Sequence, residues 1–204
     1  MLENKGELRP YSSSPDGKRL AYAEQAVETG FDLWKLPLDV SDPDHPKPGK
    51  PELFLRTPFN EQEPAFSPDD RWIAYTSNES GRFEVYVRPF PGPGGKWQIS
   101  TGGGLHPIWS RNGRELFYET LDNRIMVSTY TAKADSFAPD KPRPWSNTQI
   151  LDPTGVWNLD LAPDDKRFAV FARPEATAEE KGSVHVTVLL NFFDEPRRRV
   201  PVGK

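Results

Sequence analysis

The sequence predicts an all-β fold: a β-propeller of about four blades, each a four-stranded antiparallel sheet, with the last blade incomplete. Three observations carry this reading. A tight-turn motif recurs four times, strand-like runs repeat in register around it, and the composition favours short strands over helices.

The motif comes first, because an internal period decides the architecture. Ser14-Pro15-Asp16-Gly17-Lys18-Arg19-Leu20-Ala21-Tyr22 is echoed by Ser67-Pro68-Asp69-Asp70-Arg71-Trp72-Ile73-Ala74-Tyr75. Further copies are Ser110-Arg111-Asn112-Gly113-Arg114-Glu115-Leu116-Phe117-Tyr118 and Ala162-Pro163-Asp164-Asp165-Lys166-Arg167-Phe168-Ala169-Val170. Their second residues lie 53, 43 and 52 positions apart, which brackets the length of a four-stranded blade. Proline pre-sets the first central position of a turn, and Asp or Asn bonds back to the backbone or tolerates φ > 0. The turn residues are Pro15, Asp16 and Gly17; Pro68, Asp69 and Asp70; Asn112 and Gly113; and Pro163, Asp164 and Asp165.

The run after each turn is apolar at consecutive positions, as in Trp72-Ile73-Ala74-Tyr75. A strand of that kind is covered on both faces, as when a sheet is sandwiched between neighbouring sheets. An inner strand precedes each turn, clearest at Glu63 to Ser67, His106 to Ser110 and Trp157 to Ala162, while the first blade opens around Leu8 to Ser13. Third strands fall at Phe31 to Leu38, Phe83 to Phe90, Arg124 to Tyr130 and Val184 to Phe192. Fourth strands fall at Glu52 to Leu55, Trp97 to Ser100 and Thr148 to Leu151, and the last repeat shows none. Pro-rich insertions, Ser41 to Pro51 and Ala132 to Pro144, read as exposed loops and account for the long periods. One propeller domain thus covers 1–204, with blades near 1–56, 57–101, 102–151 and 152–204.

Composition agrees. The chain of 204 residues is long enough to bury a core. Six Trp, 12 Phe and 6 Tyr argue against disorder, and 22 Pro favour turns and strand ends. With a net charge of −4 and one basic run, Arg197-Arg198-Arg199, nucleic-acid binding is disfavoured. No apolar stretch is long enough to span a bilayer, and the opening residues lack a signal-peptide core, so direct membrane insertion is not expected. Having no cysteine, the chain forms no disulfide and no thiolate site.

Chemistry is sparse. There is no Gly-x-Ser-x-Gly elbow. His45, His106 and His185 lack metal-ligand spacing, and His185 in its strand reads as structural. Pro91-Gly92-Pro93-Gly94-Gly95-Lys96 lacks both the first Gly and the hydroxyl of a phosphate loop, so a hairpin is expected. The pairs Asp69-Asp70 and Asp164-Asp165 could suggest Ca²⁺ ligands, but they recur at the turn, which is what architecture produces. No catalytic residue, metal or cofactor is expected.

The stretch Phe66 to Tyr118 resembles the WD40-like (PD40) propeller of TolB-like proteins. It is similar, more closely, to the C-terminal sensor modules of bacterial serine/threonine kinases, whose endings resemble Val186 to Glu195 with Trp more common where Phe192 stands. Kinase motifs are absent, and the family's propellers usually carry six or more blades. The resemblance implies a face where the inner strands begin and partners dock, which here maps to Glu61, Glu63, His106, Trp157 and Asn158. It implies a non-catalytic protein-interaction or ligand-sensing module, the sensor part of a larger signalling protein, placed outside the cytoplasm. The alternative is the substrate-gating propeller of a peptidase or other hydrolase. Exposed flanks of the end blades make self-association to complete the ring an expectation.

Overall fold

The structure is a computed structural model that describes residues 6–133, 136–150 and 159–170. The first sheet contains β1 (Leu8–Ser13), β2 (Arg19–Ala26), β3 (Gly30–Asp39) and β5 (Glu52–Leu55), with the short β4 (Lys47–Pro48) alongside the far end of β3. The second contains β6 (Glu61–Phe66), β7 (Trp72–Ser77), β8 (Glu84–Pro89) and β9 (Trp97–Gln98). The third contains β10 (Leu105–Trp109), β11 (Glu115–Glu119), β12 (Arg124–Lys133) and β14 (Arg143–Gln149), with β13 (Ser136–Pro139) paired to the end of β12. A fourth is represented by β15 (Leu159–Leu161) and β16 (Phe168–Val170). Every pairing is antiparallel and each chain segment winds outward from its inner strand, which is the build of a propeller blade.

The four turns are equivalent. The backbone N–H groups of Gly17, Asp70, Gly113 and Asp165 donate to the carbonyls of Ser14, Ser67, Ser110 and Ala162 at 2.9–3.1 Å. Each of these four donor residues is left-handed, with φ of 69°, 56°, 67° and 57°. The Asp or Asn one place earlier accepts from the N–H two places on: Lys18, Arg71, Arg114 and Lys166. In the first three turns the Ser hydroxyl also accepts from the first strand residue, Arg19, Trp72 or Glu115. Ala162 has no hydroxyl to do this.

Strand β7 is buried at all six positions, and its neighbours show why. Tyr75, with Tyr86 of β8, packs on Ala23, Phe31 and Leu33 of the first sheet. Trp72 and Ala74, with Val85 and Val87, face the other way, onto Trp109, Leu116 and Tyr118 of the third. Strand β11 repeats the alternation, since Phe117 joins Leu159, Leu161 and Phe168 of the fourth sheet. A run of consecutive apolar residues is therefore one strand between two sheets. Trp109 Nε1 fastens one such interface by donating to the Ala65 carbonyl at 3.0 Å.

Two expectations need correction. The outer strand of the third sheet is Arg143–Gln149 instead of Thr148 to Leu151, because Met126 and Val127 of β12 pair with Pro144 and Arg143. The insertion Ala132 to Pro144 is not an exposed loop. Its polar composition conceals Phe137, which is 2% exposed on β13. That ring lies 4.7 Å from Tyr130, 5.1 Å from Trp72, 5.9 Å from Trp97 and 6.0 Å from Trp109. The hairpin carries it back over the interface between the second and third sheets.

Candidate interaction site at the mouth of the inner strands

The inner strands β1, β6 and β10 share a defect. Each shifts register against its neighbour, between Pro10 and Ser12, Gln62 and Ala65, and Leu105 and Ile108. Such bulges re-aim a side chain without ending the sheet. In β6 and β10 the bulged residues are Glu63 and His106, with φ of 57° and 53°. Each precedes a proline, Pro64 or Pro107, which ordinarily drives the preceding residue to extended backbone. A left-handed, non-glycine residue there costs roughly 1–3 kcal/mol and persists where its surroundings over-determine it.

Those surroundings are each other. Glu63 Oε2 accepts from the backbone N–H of His106 at 2.7 Å, and Glu63 Oε1 stands 2.8 Å from His106 Nδ1, in ion-pair range but off the hydrogen-bond line. On the other side of the imidazole, Nε2 is 3.9 Å from Glu119 Oε2 of β11. The hydroxyl of Thr76 adds a bond to Glu63 Oε2 at 3.3 Å. The side chains of His106, Glu63 and Glu119 are 14%, 11% and 5% exposed, so the imidazole and one carboxylate show an edge to solvent. Beside them Arg9 Nη1 donates to Gln62 Oε1 at 3.1 Å, and the guanidinium lies 4.4 Å over the Phe31 ring. Burial raises the pKa of Tyr11, and the charge of Glu63 raises it further. The result is a polar mouth, acidic around one imidazole, set by strands of three sheets.

Of the residues expected to face a partner, Glu63 and His106 come together. Glu61 does not join them. It is 1% exposed, with Oε1 accepting from Thr57 at 2.5 Å and Ser77 at 3.2 Å and with Oε2 unpaired. Burial pushes its pKa above the ordinary carboxylate range, against the pull of those two hydroxyls. A residue so enclosed belongs to the interior and offers nothing to a docking surface. Trp157 and Asn158 lie outside the described residues. Asp69 and Asp164 bond within their own turns, Asp70 pairs with Arg19, and Asp165 accepts from the Arg111 and Asn112 amides. Among the described residues no group of three or more His, Asp or Glu could hold a metal ion.

Glu119 escaped the reading of the sequence. It stands one place after Tyr118, where the first two repeats have Ala23 and Thr76, so a break in the repeat was the available signal. Asp32 and Glu84 were missed as well. Both are buried, at the same place in β3 and β8, and both hold the linker to the next blade. Asp32 accepts from Arg56 Nε at 2.7 Å, while Glu84 accepts from the Gly103 N–H at 2.9 Å and pairs with Ser100. These latches position the segment that leads into each bulged strand.

No protein-family model matches the chain, and no curated protein matches it. Solved structures do. A protein described as TolB from Agrobacterium tumefaciens superposes with a TM-score of 0.50 at 18% identity, covering 68% of this chain and 50% of that one. TolB from Acinetobacter baumannii superposes with a TM-score of 0.52 at 16% identity, covering 86% of this chain and 40% of that one. The fold is a TolB-type β-propeller. The propeller segment seen here spans half or less of those TolB chains, and at such identities the likeness shows the fold alone. A Bacteroides uniformis protein described as a 6-phosphogluconolactonase also superposes, with a TM-score of 0.49 at 17% identity, covering 81% of this chain and 48% of that one. No helix of the described residues is long and apolar enough to cross a membrane.

Proposed function

We propose that this propeller is a non-catalytic interaction module, the sensing part of a larger signalling protein, and that it receives a protein partner or ligand at the mouth formed by Glu63, His106 and Glu119. One observation carries the reading. Two successive inner strands each hold a left-handed residue before a proline, and the two side chains brace each other at a partly open rim. Backbone strain held at one polar spot away from the tight turns supports a pre-organised binding surface there. The described residues around it offer hydrogen-bonding and charged groups, with the hydroxyl of Thr76 donating to Glu63 and to the Gln62 carbonyl.

Site-specific photo-crosslinking in the producing cell tests this. A benzophenone amino acid at Gln62, beside the mouth, is expected to give a discrete adduct that disappears in the His106→Ala variant. The same label at Asp44, in the loop beyond the far end of β3, is expected to give none. Equal labelling from both positions, or an adduct indifferent to His106, discards the assignment.

A further inference from the structure

A second site lies away from the mouth, in the cleft between the first two blades where β8 turns toward β9. Phe54 of β5 forms one wall, and Pro89, Pro91, Gly92, Pro93 and Gly94 form the other, around a cavity of about 260 Å³ that Arg88 also lines. That volume lies below the usual range for drug-sized ligands, so whatever fits is small.

The chemistry of the lining narrows the ligand. Arg88 is half-buried, its Nε donates to the Tyr75 hydroxyl at 3.1 Å, and no carboxylate of the described residues pairs with it. A guanidinium carries five N–H donors, so its outer edge keeps the two-pronged face that suits a carboxylate. The acids on this side are already engaged: Glu52 by Lys35 at 3.0 Å and Asp70 by Arg19 at 2.8 Å. Those two cations, each already paired, lie 5.3 and 5.5 Å from the centre of the Phe90 ring, which itself sits 5.9 Å from Phe54, so the charge the cleft can offer a ligand is that of Arg88.

The loop keeps the space clear. Gly92 has φ of 84°, and a Cβ there would point to within 4.0 Å of the Phe54 ring. Any longer side chain would grow across the cavity. What remains is a cleft of mixed lining, apolar at Phe54 and the prolines and cationic at Arg88.

We propose that this cleft binds a small organic carboxylate, its charge on Arg88 and its apolar body between Phe54 and the prolines. The site is independent of the mouth and of the reading given to it. Benzoate and its neutral analogue benzamide are the probes, titrated into the full chain by ligand-observed NMR. Benzoate is expected to bind saturably, and benzamide at least about tenfold more weakly, because a charge-assisted pair of hydrogen bonds is lost. Arg88→Gln is expected to weaken benzoate by about tenfold or more. Tyr75→Phe removes the partner of Nε but keeps the cation, and so is expected to bind within about twofold of the parent. Matching melting curves for the two variants exclude unfolding as the cause, and His106→Ala is expected to leave benzoate binding unchanged. Equal affinity for benzoate and benzamide, undiminished binding by Arg88→Gln, or no saturable binding overturns the proposal.

Discussion

Replacing Phe137 with alanine removes the ring that the β12–β13 hairpin lays over the interface between the second and third blades. The side chain is 2% exposed and meets Trp72, Trp97, Trp109 and Tyr130 within 6.0 Å. A buried Phe removes on the order of 150–200 Å² from water, worth about 4 kcal/mol at 25 cal/mol per Å². Four tryptophan and tyrosine rings cannot collapse into the gap, which places the loss at the upper part of the ~3–5 kcal/mol range for Phe→Ala. For a domain of this size that lowers the melting temperature by roughly 8–16 °C. Urea unfolding followed by tryptophan fluorescence measures it directly, because three indoles and this ring share one cluster. Leu121→Ala, at a side chain 52% exposed, serves as the control and is expected to cost less than about 0.5 kcal/mol. If Phe137→Ala costs no more than the control, the hairpin is an appendage and the packing argument fails.

Other substitutions test the turns and the buried acid. Ser67→Ala removes a hydroxyl that accepts from Trp72 and Arg71 and donates to Asp69, and is expected to cost about 1–2 kcal/mol in urea unfolding. The converse, Ala162→Ser, installs the missing hydroxyl in the fourth turn and is expected to add up to about 1 kcal/mol, an increment that two unlike turns would not give. Because the pKa of Glu61 is raised in the folded state, its contribution is fully present below the unfolded value and is lost as pH rises through the folded one. The difference in melting temperature between Glu61→Gln and the parent is therefore expected to grow in favour of the variant from pH 4 to 7, and a flat difference refutes the burial argument. Trp109→Phe keeps the ring packing but loses the bond to the Ala65 carbonyl, for an expected cost of about 1 kcal/mol by chemical denaturation.

The turn was legible because its chemistry is local. An Asx residue and a left-handed fourth position suffice to define it, with serine ahead of them in three of the four copies, and all four show the same backbone bonds. The doubly buried strands were legible from Trp72-Ile73-Ala74-Tyr75, since no half-exposed strand tolerates four such residues in a row. Phe137 was illegible because one aromatic in a polar, proline-containing stretch has no period to reveal it. Its burial comes from a hairpin whose register only the partner strand sets. Glu61 was misplaced for a related reason. An acidic residue at the head of an inner strand reads as solvent-facing, yet the bulge beyond it turns Glu63 outward and leaves Glu61 among Thr57 and Ser77. The pairing of Glu63 with His106 spans 43 residues, and register alone could bring them to one rim but could not show that they touch.

Native-state hydrogen exchange reaches the central claim, that the middle strands lie hidden between adjoining blades. The amides of Ile73 to Thr76 in β7 are predicted to exchange only through global unfolding, with the same urea dependence as the amides of Val85 to Val87 in β8, while Lys47 in the exposed β4 exchanges through local opening. Exchange of the β7 amides as fast as that of Lys47, or without dependence on urea, would contradict the stacked-blade structure on which both sites are built.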